Sequence, residues 1–164
     1  MKSFIIILIS TFSIAVFSQT KRGSLKLSKE AILFWEIKDF NKQKHSFKTC
    51  SFPGGKFICE IDGKKWFGSD YGMTLPKNQL TKLEIKIKDR FYKLETSQMF
   101  NPNYSGELSE IQFKLKKFKN FYRLYSFFSD GAGSYSAYWK IEEKSSKREI
   151  LSNDEKYFEW QLEN

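Results

Sequence analysis

Few residues in this sequence combine a reactive type with a useful spacing. Cys50 and Cys59 flank Ser51-Phe52-Pro53-Gly54-Gly55-Lys56-Phe57-Ile58. A four-residue loop over Pro53–Lys56 would set Phe52 against Phe57 and Cys50 against Cys59, at about the spacing a disulfide spans. A loop slipped by one residue would oppose Thr49 to Cys59 and leave two thiols. A catalytic thiol is not expected, because no Cys-x-x-Cys and no paired histidine accompanies either cysteine. His45 is the single histidine. The neighbouring cations Lys42, Lys44 and Lys48 disfavour the protonated form through which a general base must pass. No Gly-x-Ser-x-Gly, His-Glu-x-x-His or phosphate-cradling glycine loop is present. Two cysteines and one histidine fall short of a zinc site. Carboxylates alone could still serve, as in glycosidases, with Asp70, Glu107 and Asp130 as candidates, although exposed turn acids are normally only solvated. The expectation is therefore no catalytic residue, no metal and no cofactor.

Two loops share a pattern, Ser69-Asp70-Tyr71-Gly72 and Ser129-Asp130-Gly131-Ala132-Gly133. Calcium loops stack several carboxylates at fixed spacing, which neither does, so turn formation accounts for both. The most binding-like residues are aromatic and amide side chains in loops: Trp66, Asp70, Tyr71, Asn101, Asn103, Tyr104, Asp130 and Tyr135. Binding surfaces favour Tyr and Trp beside adaptable Asn and Ser. Asn101-Pro102-Asn103-Tyr104-Ser105-Gly106 is equally what a tight loop needs for its turns.

The elements that position these residues read as strands. Phe57, Cys59 and Ile61 alternate with Ile58 and Glu60, and Asp62-Gly63 then gives the strongest short hairpin signal. Leu83, Ile85 and Ile87 alternate with Glu84, Lys86 and Lys88, and Asp89-Arg90 turns that strand back into Phe91–Glu95. Ile111, Phe113 and Leu115 alternate before a turn near Lys117–Asn120. Phe121–Phe128 is aromatic on both faces, as a strand covered on both sides would be. Tyr135, Ala137, Trp139 and Ile141 alternate next, and Arg148–Leu151 and Tyr157–Leu162 could close the sheet. Ser28–Asn41 is ambiguous between helix and strand, and the β character of the rest favours strand. The fold expected is all-β, an antiparallel sandwich or barrel of roughly eight strands.

The chain has 164 residues, 18% of them aromatic, which suits one domain with a sizeable core. Lys2 followed by the apolar stretch Phe4–Phe17 has the form of a secretory signal peptide with a cut after Ser18. Those 14 apolar-rich residues, interrupted by Ser10, Thr11 and Ser13, are fewer than the roughly 20 a spanning helix needs. The organisation expected is a signal peptide at 1–18, an N-terminal segment at 19–46 and a β-domain at 47–164, with 19–164 as one domain. The product would be periplasmic or secreted and would not span the membrane, and oxidation of the cysteines becomes plausible there. Removing Lys2 takes the net charge from +9 to +8. Export argues against nucleic acid as the partner and leaves acidic proteins, glycans or lipid headgroups.

The short Ile/Phe-rich leader ending in Phe17-Ser18-Gln19 resembles those of exported proteins from Bacteroidota-type bacteria. Ile61-Asp62-Gly63-Lys64-Lys65-Trp66 is similar to an Ile-Asp-Gly-Lys-x-Trp hairpin of small exported β-proteins from such bacteria. The resemblance implies an architecture and no activity. The expected function is a non-catalytic exported binding protein that neutralises another, toxin-like protein in the envelope, as immunity proteins do. The alternative is a module that binds an acidic envelope glycan or lipid, with a carboxylate-based hydrolase as a remote third.

Overall fold

The alternating segments are strands. A computed structural model of the chain describes residues 19–69, 72–129 and 131–162. The signal-peptide reading of residues 1–18 lies outside the described residues, and so do Asp70, Tyr71 and Asp130. The first sheet has the order β1 (Thr20–Ser28), β2 (Ala31–Asp39), β6 (Asn78–Ile87), β7 (Arg90–Lys93). The second runs β11 (Ser146–Ser152), β10 (Tyr135–Ile141), β9 (Tyr122–Phe128), β8 (Phe113–Lys117). A third, smaller sheet holds β3 (Phe47–Phe52), β4 (Gly55–Ile61) and β5 (Lys64–Lys65). All pairings between these strands are antiparallel.

Period-two burial builds the core. Leu33, Trp35, Ile37, Leu83 and Ile85 point inward from the first sheet and meet Leu124, Phe128, Tyr135, Trp139 and Ile141 from the second. The two four-stranded sheets thus close on one another as a sandwich and not as a barrel. Each large side chain taken fully out of water contributes roughly 1.5–3 kcal/mol. The segment that periodicity left open is a strand: Ala31, Leu33, Trp35 and Ile37 are buried while Ile32 is exposed, a spacing no helix produces. A second, smaller cluster of Ile61, Trp66 and Phe100, with Phe40 and Ile58 against it, sits under the third sheet.

Several local expectations change. Eleven strands are found among the described residues instead of roughly eight; the polar β1 carries too little apolar pattern to stand out. Asp62 and Gly63 both take positive φ, 55° and 70°, and make the expected hairpin turn. The β6–β7 turn falls on Lys88 and Asp89, one residue earlier than read, with Lys88 at φ 54°. Ile111 does not point inward but is 86% exposed in a 3-10 turn, Glu110–Gln112. Tyr157–Leu162 is not a strand: Asp154 caps a 3-10 turn at Glu155–Tyr157, and a second follows at Glu159–Gln161. These turns lie across the outer face of the second sheet. Phe158 packs on Phe127, Trp160 on Tyr125, and the Tyr157 carbonyl accepts from Ser136 and Tyr138. The cover expected for a strand aromatic on both faces is therefore supplied by the chain's own C-terminal segment.

Cys50 and Cys59 form a disulfide, with Cα atoms 5.7 Å apart. The register differs from the one that suggested it. Phe52 pairs with Gly55 and Cys50 with Phe57, so the loop is only Pro53-Gly54. An irregularity between Lys48 and Thr49 leaves Cys59 as the extra residue of β4. That bulge brings Cys59 within reach of Cys50 although the two are not directly opposed.

Candidate functional site

The two outer faces of the sandwich are unequal. The second sheet is roofed by residues 155–162, whereas no described segment is seen to roof the first. Register sets its outer side chains in rows. Lys26, Ile32, Lys86 and Phe91 form one row, Ser24, Phe34, Glu84 and Lys93 the next, and Arg22, Glu36 and Lys82 the third. Phe91 is 62% exposed, its ring lies 6.1 Å from that of Phe34, and the Lys86 ammonium stands 5.7 Å from it. Ile32 and Phe34 on β2 and Phe91 on the edge strand β7 thereby lie among five cations and two carboxylates, with Lys86 and Glu84 of β6 between them.

Both carboxylates are held within the face. Glu84 pairs with Lys82 at 2.9 Å. Glu36 accepts from Lys38 at 3.0 Å, Arg22 at 2.6 Å and Thr81 at 2.9 Å. The hydrogen bonds from Lys38 and Arg22 outweigh partial burial and bring its pKa from 4.5 down to about 2. A depressed carboxylate pKa lends stability that is full above the ordinary value and is lost as pH falls through the folded one. Denaturant midpoints should therefore decline between about pH 4.5 and pH 2, and the Glu36→Gln variant should lose part of that decline. An identical decline in the variant would show that Glu36 carries none of it.

The loop singled out in the sequence has a different character. Asn101 is 4% exposed with φ 45°. Its Oδ1 accepts from the backbone N–H of Lys77 at 2.8 Å and of Asn78 at 3.3 Å, and its Nδ2 donates to the Gly68 carbonyl at 2.7 Å. Gly68 has φ +94°, and a Cβ there would collide with the Phe100 carbonyl, so only glycine fits. Asn103 folds the loop back, its Oδ1 accepting from the backbone N–H and the hydroxyl of Ser105, both at 2.9 Å. Asn101 and Asn103 are loop architecture. Asn101→Ala is expected to cost about 2–3 kcal/mol by stranding buried donors and a buried carbonyl, which urea denaturation would measure.

The aromatic candidates separate in the same way. Trp66 is 7% exposed and donates its indole N–H to the Ile58 carbonyl at 2.7 Å, inside the small core. Tyr135 is fully buried, its hydroxyl donating to the Phe100 carbonyl at 2.9 Å and its ring stacked on Phe67. Burial pushes its phenol pKa well above the ordinary value. Neither ring can serve as a stacking platform, because sheet and loop packing has enclosed both. Tyr104 is 43% exposed and lines a small cleft with Lys21, Lys38, Asp39, Lys77 and Asn78. The residues of the open sheet face were missed, yet the nearly continuous apolar run Ala31–Ile37 carried the signal, since it places Ile32 and Phe34 opposite the core.

Glu107 is a largely exposed acid 3.6 Å from Lys21, whereas the single histidine is structurally engaged. His45 Nδ1 lies 2.7 Å from Asp62 Oδ2, and its ring stacks on Phe40. Partial burial raises the Asp62 carboxyl, but hydrogen bonds from His45 and Ser46 prevail and hold it below the ordinary range. Among the described residues no group of three or more His, Cys, Asp or Glu could hold a metal ion, and no helix is long and apolar enough to cross a membrane. A cavity of about 420 Å³ at one end of the sandwich is lined by Tyr92, Phe118, Phe121 and Tyr122 together with lysines and acids. Compared with known protein families, curated proteins and solved structures, the chain matches none.

Proposed function

We propose that the protein is exported and binds an acidic protein in the cell envelope, neutralising it as an immunity protein neutralises a toxin. The observation that carries this reading is the asymmetry of the sandwich. The turns at 155–162 cover one sheet, while the other keeps Ile32, Phe34 and Phe91 set among cations. Strands about 4.8 Å apart and rising about 3.3 Å per residue give four strands a face of several hundred Å². That approaches the roughly 800 Å² each partner contributes to a standard interface. Phe34 and Phe91 would supply the affinity, and the lysines beside them would steer an acidic partner. The disulfide fits an oxidising compartment such as the periplasm or the exterior, and the signal-like leader supplies the route.

The reading has a genetic test. If the chain protects its cell against a toxin encoded alongside, deleting it while keeping the toxin gene should arrest growth. Normal growth of such a deletion strain would sink the reading.

A further inference from the structure

We propose that a row of cations on the outer face of the second sheet, beside the C-terminal turns, binds a linear acidic polysaccharide. The site is separate from the open face of the first sheet and does not rest on the protein-binding reading. Register places Lys116 of β8 opposite Arg123 of β9, Arg123 opposite Lys140 of β10, and Lys140 opposite Lys147 of β11. Their chain neighbours Leu115, Leu124, Trp139 and Ile141 face the core, so the row stands on the outer side.

Stability does not explain such a row, because like charges directly opposite one another in a sheet repel. Two carboxylates temper it. Glu149 lies 2.9 Å from Arg123, and Glu142 pairs with Lys140. Glu143, next along the β10–β11 turn, is drawn instead to Arg90 of the first sheet at 3.1 Å. Lys147 is exposed and has no carboxylate partner among the described residues. Lys119 and Lys144, on the two turns at this end of the sheet, are exposed as well. Positive charge is therefore in excess, and the ligand it suits is an anion.

The shape of the row selects a chain. Strands about 4.8 Å apart set its charges at intervals close to the length of one sugar residue, over roughly 14 Å in all. A polysaccharide with one acid per sugar, laid across the strands, presents its charges at a comparable pitch. The row is also bordered on both sides. On one, residues 155–162 stand over Tyr125, Phe127 and Tyr138. On the other, the β8–β9 turn carries Phe118, 37% exposed and stacked on Phe121 at 4.7 Å. The Arg123 guanidinium lies 5.7 Å from the Phe118 ring, and the Lys140 ammonium 5.1 Å from that of Phe121. A single chain fits between these borders, whereas the C-terminal turns hold a flat bilayer away from the cations. The Phe118 ring gives the C–H face of a sugar an apolar surface beside the charges.

The test titrates the purified protein with polygalacturonate, a linear chain with one carboxylate per sugar. Polyglutamate serves as an acidic chain without rings, and vesicles of phosphatidylglycerol and phosphatidylcholine as an anionic surface. The expected result is that polygalacturonate binds more tightly than either, with an affinity that falls as salt rises. Lys140→Gln combined with Lys147→Gln should weaken that binding at least about fivefold. Lys42→Gln combined with Lys44→Gln removes the same charge from an exposed 3-10 turn outside the row, and should leave affinity within about 1.5-fold of the parent. Lys147→Gln alone, at an exposed and unpaired position, should weaken binding at least about twofold, which keeps the result readable should the double variant fold poorly. Absence of binding to polygalacturonate would overturn the proposal. So would equal losses in the two double variants, or binding of polyglutamate or vesicles as tight as that of the sugar chain.

Discussion

Replacing Trp139 with alanine is expected to lower stability by about 3–5 kcal/mol, the range for emptying a large aromatic from a packed core. Trp139 is fully buried at the centre of β10, between β9 and β11, and faces the first sheet. Its indole N–H donates to the Glu95 carbonyl at 3.0 Å, so the alanine variant both opens a cavity and leaves that carbonyl without its donor. Such a loss is a large share of the roughly 5–15 kcal/mol that keeps a domain folded. For a chain of this size it corresponds to a Tm drop of roughly 10–15 °C. Trp139→Phe separates the two effects, since it keeps most of the volume and loses only the donor. A loss below about 1 kcal/mol for the alanine variant would mean that the two sheets do not close on this residue.

The second large effect is on binding and should leave the fold intact. Phe91→Glu combined with Lys86→Glu puts two carboxylates on the open face, at β7 and β6, where Phe91 is 62% exposed and Lys86 stands over its ring. Both side chains point away from the core but stand opposite each other across β6 and β7, so the two like charges cost about 1 kcal/mol and Tm should fall by no more than about 4 °C. Affinity for an acidic partner should fall at least about 30-fold, or roughly 2 kcal/mol, through loss of the aromatic anchor and reversal of the charge beside it. The matching change on the roofed sheet is an informative comparison. Lys147→Glu on β11 reverses a charge away from the open face and should leave capture unchanged. If both variants bind alike, the open face is not the interface.

What the sequence made legible follows from where its signal is periodic. Strands with one buried face, such as Leu83, Ile85 and Ile87, announce themselves, because a shift of one residue would turn every side chain the wrong way. The Asp62-Gly63 hairpin was legible because its two positive φ values demand those residue types. The disulfide was inferred through a register the protein does not use, because a single bulge residue cannot be seen in an alternating pattern. Tyr157–Leu162 was misread because its apolar residues pack onto a sheet from outside, in short 3-10 turns that have no period of two. The candidate site suffered from the opposite bias. Loop aromatics look exposed in sequence, yet Trp66 and Tyr135 are drawn into cores by contacts distant along the chain. Asn101 has the residue type of a binding loop and serves as a brace, because an amide side chain suits a backbone contact as well as a ligand. The open face was hidden because Ile32 and Phe34 read as core, and only the sheet order reveals that nothing described is laid over them.

The most direct test is affinity capture from envelope extract of the native cell, with the tagged protein and its Phe91→Glu/Lys86→Glu variant run side by side and retained material identified by mass spectrometry. The account predicts one acidic protein held at near-equal stoichiometry through high salt by the parent and lost by the variant. Retention of glycan, lipid or salt-labile background alone, or equal retention by both, would contradict it.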